Sequence, residues 1–82
     1  MNQALHEPIE VLTKFQHGQI VPLRIRWNDR VYNVEKITGN WFHRDGDFKE
    51  YFFAALVTGN RLVEIHLDTR DMRWTLDRID EE

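Results

Sequence analysis

The chain predicts an all-β domain of about six antiparallel strands, arranged as two packed meanders or a small, partly open barrel. Apolar and polar residues alternate at period two through most of the chain. Short turn signals separate the alternating runs: Gly18, Asn28-Asp29, Gly59-Asn60 and the segment from Asp68 to Asp71. Two independent turns in the second half then agree on which residues point inward, the mutual consistency expected of a foldable sequence.

Ile9, Val11, Thr13 and Phe15 recur at every second position and define a first strand that Gly18 ends. Over 20–27, Leu23, Ile25 and Trp27 share one face, and Arg24 and Arg26 the other. Asn28-Asp29 forms a hairpin turn because both residues tolerate positive φ. A third strand runs from Arg30 to Ile37. This turn sets Trp27 against Arg30, Ile25 against Tyr32 and Leu23 against Val34, with Arg26 against Val31 and Arg24 against Asn33 on the other face. A slip of one residue would put Ile25 opposite Asn33, so the pattern selects the first register.

The stretch from Thr38 to Glu50 reads as a strand end, a loop and the approach to strand four, with a single helical turn as the alternative. Further on, a turn at Gly59-Asn60 pairs Leu56 with Val63, Ala54 with Ile65 and Phe52 with Leu67. A loop from Asp68 to Asp71 pairs Leu67 with Met72, Ile65 with Trp74 and Val63 with Leu76. The expected inner face is therefore Phe52, Ala54 and Leu56, then Val63, Ile65 and Leu67, then Met72, Trp74 and Leu76. Phe53, Val57 and Leu62 fall outside, covered by the N-terminal segment or by a partner or second copy. Residues 1–7 are expected to be frayed, 8–79 to form the single β domain, and 80–82 to be an acidic tail.

Composition restricts the chemistry. At 82 residues the chain is one domain, and a domain of this size buries about 60–65 % of its unfolded surface. It has no cysteine, which removes disulfides, thiolate metal ligands and a Cys nucleophile. It has no serine either, so a serine triad is excluded. The opening residues carry no basic and apolar signal pattern, and cytoplasm is the expected compartment. A net charge of −3 argues against a dedicated nucleic-acid clamp but leaves room for a local basic face.

Several groupings are candidate sites. Glu64, His66 and Asp68 alternate on the outward face of one strand, while His6, His17 and His43 are scattered without ligand spacing. No metal and no cofactor are expected, and these residues read as a solvated strand face. Arg24 and Arg26 form a basic stripe, with Lys14 and Lys36 expected nearby. Trp41, Phe42, His43 and Arg44 put aromatic rings beside a cation, the mixture with which small β-barrels hold single strands. Arg24, Arg26, Trp41, Phe42 and Arg44 are thus the candidate nucleic-acid or partner contacts. The competing reading is that Trp41 and Phe42 cap an open end of the core while the arginines solvate or blunt an edge strand. Turns account for Asp45, Asp47, Asp68 and Asp71, and no threonine has an adjacent base, so no catalytic residue is assigned and no enzyme is expected.

Pro8-Ile9-Glu10-Val11, Pro22, the hairpin from Arg26 to Val34 through Trp27, Arg30 and Tyr32, then Ile37, Trp41 and the closing run Asp68 to Ile79 resemble a small bacterial family of unknown function. Its members read Pro-hydrophobic-Glu-Val, a later Pro, a Trp-x-Gly-Arg-x-Tyr-x-Val hairpin and a further Trp. Here Asn28-Asp29 stands where the family has a turn glycine. Some members are fused to, or encoded near, Y-family translesion DNA polymerases, and the family supplies no catalytic residues. The sequence thus predicts a small binding or protein-interaction module, acting on an unknown protein partner or by self-association. The alternative is a nucleic-acid-associated accessory domain linked to DNA repair or translesion synthesis, binding single strands weakly. No membrane association is expected.

Overall fold

The computed structural model describes residues 2–80, with side chains from Leu5 onward. Six strands run in chain order: β1 (Asn2–Gln16), β2 (Gln19–Trp27), β3 (Arg30–Asp45), β4 (Phe48–Val57), β5 (Arg61–Asp68) and β6 (Arg73–Asp80). Each pairs antiparallel with the next, and β6 returns to β1, closing a small barrel. Among the described residues there is no helix long and apolar enough to cross a membrane.

The tight turns supply the twist. His17 and Gly18, and Asn28 and Asp29, all have positive φ, the primed-turn conformation that matches the right-handed twist of paired strands. The β2–β3 register is the expected one, with Trp27 facing Arg30, Ile25 facing Tyr32 and Arg24 facing Asn33. It ends there, so the expected contact of Leu23 with Val34 is absent. Leu23 is the extra residue of a bulge, since Leu12 faces Arg24 and Thr13 faces Pro22.

Three expectations are corrected. Residues 2–7, expected to be frayed, belong to β1 and pair with the end of β6. Leu5 packs against the core, and Glu7 accepts a 2.9 Å hydrogen bond from the Trp27 indole, so this segment is held by apolar and polar contacts. The acidic end divides: Asp80 is in β6, and residues 81 and 82 lie outside the described residues. Residues 38–50 form no loop or helical turn. β3 continues to Asp45, Gly46-Asp47 turns the chain with positive φ at Gly46, and β4 begins at Phe48. Alternation through this stretch lets β3 and β4 zip to the tip, where Asp45 faces Phe48.

The third correction concerns which face of β4 is buried. Its turn to β5 holds three residues, Thr58, Gly59 and Asn60, so Val57 faces Arg61 and Leu56 faces Leu62. This is one residue off the expected register, and side chains alternate faces, so every β4 residue is inverted. Phe53, Ala55 and Val57 point inward and are at most 6 % exposed, while Phe52, Ala54 and Leu56 point outward. The β5–β6 pairing differs by two residues, with Leu67 facing Trp74 and Ile65 facing Leu76. A two-residue shift preserves the face, so Trp74 and Leu76 stay inward while Met72 moves into the turn at positive φ and is 60 % exposed.

The core comprises Ile25, Phe53, Ala55, Val57, Val63, Ile65, Leu76 and Ile79, with Trp27, Tyr32 and Trp74 partly buried against it. No polar or charged residue is buried among the described residues. Two threonines fasten strand ends in the same manner. Thr58 donates its N–H to the Asn33 carbonyl at 3.0 Å, and its hydroxyl accepts the Asn33 N–H at 2.9 Å. Thr69 does the same to Lys49, at 3.1 Å in both directions.

This register predicts a specific contrast. Phe53→Ala empties core volume and should lower stability by about 3–5 kcal/mol, whereas Phe52→Ala removes mainly ring contacts worth about 1 kcal/mol. Urea unfolding of the two variants checks the register directly, and a larger loss for Phe52→Ala contradicts it.

Candidate interaction surface

The barrel is closed at one end and open at the other. β2 and β3 are joined only from the Arg24–Asn33 pair to the Trp27–Arg30 pair. Asn33 sits at the last joined position and is committed on both sides: its side-chain oxygen accepts from Arg24 Nε at 3.0 Å, and its backbone holds Thr58. Beyond it the Leu23 bulge and two bulges in β3, after Val34 and after Ile37, turn the strands apart. The β1–β2 and β3–β4 hairpins therefore project from the same end as two arms.

Between the arms lies a cleft of about 290 Å³, lined by Gly18, Gln19 and Ile20 from one arm and by Asn40, Trp41, Phe42 and Tyr51 from the second, with Phe53 beneath. The register turns Phe15 and Ile20 inward on the first arm, and Phe42 and Tyr51 inward on the second. Phe15 and Phe42 nevertheless remain 65 % and 58 % exposed.

Two cations share the inward face of the second arm. Arg44 faces Lys49 across the β3–β4 ladder, one step beyond the Phe42–Tyr51 pair on the same face. The Lys49 ammonium lies 5.1 Å from the centre of the Phe42 ring, and neither cation makes an ion pair among the described residues. The neighbouring Arg70 is committed elsewhere. It hydrogen-bonds Asp45 and lies over the Phe48 ring, tying the tip of the β3–β4 arm to the β5–β6 turn. The hydrogen bond to Asp45, with the charges of Asp45 and Asp68, raises the Arg70 pKa further above its usual value.

The outer face carries a different arrangement. Trp41 stacks on Phe52 with ring centres 5.5 Å apart, and Phe52 lies 4.9 Å from the His66 ring. His66 Nδ1 is 2.7 Å from Asp77, its Nε2 is 3.6 Å from Glu50, and Asp77 also meets His6 at 3.2 Å. His43 is 3.6 Å from Glu50. Histidines and carboxylates thus alternate across five strands, from β3 to β1. The strand alternation of Glu64, His66 and Asp68 was visible in the sequence, but the partners Asp77, Glu50 and His6 come from three other strands. Among the described residues no group of three or more His, Asp or Glu is arranged to hold a metal ion.

The five candidate contact residues separate in the fold. Arg24 and Arg26 point outward near the closed end, where Arg24 bonds Asn33 and Arg26 lies 3.8 Å from both Glu10 and Asp29. Trp41 stacks outward on Phe52 and also borders the cleft, Phe42 lines the cleft, and Arg44 lies one step further along the face of Phe42. The structure therefore sets Phe42 beside Trp41, Tyr51 and Ile20 in the cleft, with Arg44 and Lys49 one step along the face of Phe42 and Phe15 on the inward face of the other arm; Lys49, Tyr51, Phe15 and Ile20 were missed by sequence reading. The signal was present: Asp45-Gly46 is a strong hairpin signal, and pairing the strands across a two-residue turn at Gly46-Asp47 sets Phe42 opposite Tyr51 and Arg44 opposite Lys49 on one face. Comparison with known protein families, characterised proteins and solved structures found no match for the chain.

The outer arrangement generates a prediction about stability. Asp77 is the acceptor shared by His66 of β5 and His6 of β1, so Asp77→Ala should cost about 1–2 kcal/mol through the lost hydrogen bonds. Thermal unfolding at neutral pH measures this, with Asp47→Ala, in an exposed turn, expected to stay within about 0.5 kcal/mol of the parent protein.

Proposed function

We propose that the domain is a protein-interaction module whose partner seats apolar side chains in the cleft between the β1–β2 and β3–β4 arms. The supporting observation is that Phe15 and Phe42, both on the inward faces of their strands, are more than half exposed. Apolar surface on a core-facing side that the described residues leave exposed marks a surface for another molecule. Tyr51 and Phe42 suit such a site, because aromatic side chains offer large contact area in interfaces. No catalytic residue enters this reading. A cleft lined by aromatic and aliphatic groups, with two cations at its rim, has the chemistry for recognition.

A second reading is a nucleic-acid-associated accessory domain. It is favoured by Phe42 and Tyr51 standing beside Lys49 and Arg44, since ring stacking and phosphate contact operate together on single strands. It is weakened by the engagement of Arg24 and Arg26 with neighbouring groups and by the net charge of −3.

Photo-crosslinking separates these readings. With benzoylphenylalanine at position 15 or 42, a defined protein adduct or a crosslinked second copy is expected, and none from position 12, which is exposed on the outer face. Adducts confined to nucleic acid favour the second reading, and equal labelling from all three positions refutes a cleft-specific partner. In parallel, titration of a labelled single-stranded oligonucleotide at low salt should show binding no tighter than high micromolar. A salt slope near 0.7 per neutralised phosphate would indicate contact through the two rim cations.

A further inference from the structure

The cleft has backbone edges as well as side chains. Beyond the short β2–β3 seam, Gln19–Leu23 of β2 and Val34–Asp45 of β3 each have a strand neighbour on one side only. Backbone groups in an antiparallel strand point alternately to its two sides, so each edge offers a row of donors and acceptors toward the cleft. The two edges differ in quality. That of β2 includes Pro22, which has no N–H to give. The first part of the β3 edge is blunted by its two bulges and by Lys36. From Gly39 to Asp45, however, β3 pairs with β4 residue by residue, without a bulge. These seven residues span about 24 Å at the usual rise. Their inward side chains include Phe42 and, two positions on, Arg44.

We infer that the β3 edge from Gly39 to Asp45 accepts an extended segment of a partner protein as an added strand. The segment places an apolar side chain against Phe42 and Tyr51 and, two residues along, an acidic side chain against Arg44 and Lys49. This rests on the interaction-module reading and specifies its ligand. Three features converge on it. An unbulged edge next to an apolar cleft is the arrangement that strand addition uses, with main-chain bonds giving affinity and alternate side chains giving specificity. The spacing of Phe42 and Arg44 on one face matches the two-residue period of a strand. The two cations make no ion pair among the described residues, while the adjacent Arg70 already has its carboxylate, so negative charge is the complement the rim lacks. A nucleic-acid strand could use the rings and cations, but it has no row of alternating N–H and C=O groups to answer the edge.

The test selects twelve-residue peptides from a random displayed library on the immobilised full chain, with an oligothymidylate of sixteen nucleotides as a parallel ligand. Selected peptides should share an apolar-x-acidic pattern, and amide exchange of Gly39 to Asp45 should slow at least tenfold when the synthetic peptide binds. Methylating the peptide nitrogens that face β3 should weaken binding at least tenfold, while methylating the intervening ones should leave it within twofold. The double change Arg44→Glu, Lys49→Glu should weaken the acidic peptide tenfold or more, and a peptide with lysine in place of its acidic residue should restore binding to that variant. If peptides bind at Phe42 and Tyr51 but methylation at either set of nitrogens has the same effect, strand addition is refuted and the interaction module stands. If no peptide is selected, both fail, and oligothymidylate binding with shifts at the same residues then assigns the cleft to nucleic acid.

Discussion

The register of β4 against β5 is the constraint on which the rest of the structure depends. Three residues in the turn, Thr58 to Asn60, decide that Phe53, Ala55 and Val57 face inward. These side chains then meet Val63, Ile65, Leu76 and Ile79 and form the centre of the core. The same choice turns Phe52 outward, where it becomes the plate between Trp41 and His66. It also turns Tyr51 inward, so that the cleft is lined on that side by a ring rather than by Glu50. Because the strand period is two, no intermediate arrangement exists. Thr58 secures the outcome by clasping Asn33 with its hydroxyl and its amide.

Closure and opening of the barrel follow from where each strand can continue to pair. At the closed end, β1 returns to β6, Glu7 holds the Trp27 indole, and Asn33 joins Arg24 to the Thr58 clasp. At the open end Pro22 and the bulges of β2 and β3 end pairing between those strands. Small barrels normally remove sheet edges by closing completely, and edges left open are usually blunted. Here blunting stops at Gly39, and the unblunted part of β3 lies beside the largest exposed inward-facing aromatic residues. Arg70 fixes the arm by bonding Asp45, so the edge is carried on a supported hairpin and not on a loose one.

The two faces of the β3–β4 arm have different chemistry for one geometric reason. Consecutive residues of a strand alternate sides, so Trp41 and Phe42, adjacent in sequence, point to opposite faces of β3. One joins a stacked outer track that ends on a His66–Asp77 contact shared with His6. The other joins a cleft with cations at its rim. Trp41 nevertheless also borders the cleft beside Phe42, so this aromatic pair reaches both surfaces. Arg24 and Arg26 are removed from any shared patch, because the splay of β2 from β3 leaves them at the closed end with their own partners.

The sequence by itself determined the class of fold, the antiparallel order and the register of the first hairpin, because local signals suffice for these. Asn28-Asp29 selects one turn, and apolar alternation in Ile25, Trp27, Tyr32 and Val34 admits one phase. It also determined the inward face of β5 and β6, since Ile65, Leu67, Trp74 and Leu76 keep their phase even though the four-residue turn between them sits one position later, at 69–72, and moves the pairing by two. The inward face of β4 was not determined, because Phe52, Ala54 and Leu56 are as apolar as Phe53, Ala55 and Val57. With both faces acceptable, one turn residue outside the local pattern decides, and that choice is made by packing against β5 and the Asn33 clasp. The cleft, its rim cations and the partners of His66 were likewise decided by tertiary structure alone. Each requires residues from strands far apart in sequence to meet, and alternation within a single strand records which side a residue faces but not what it finds there.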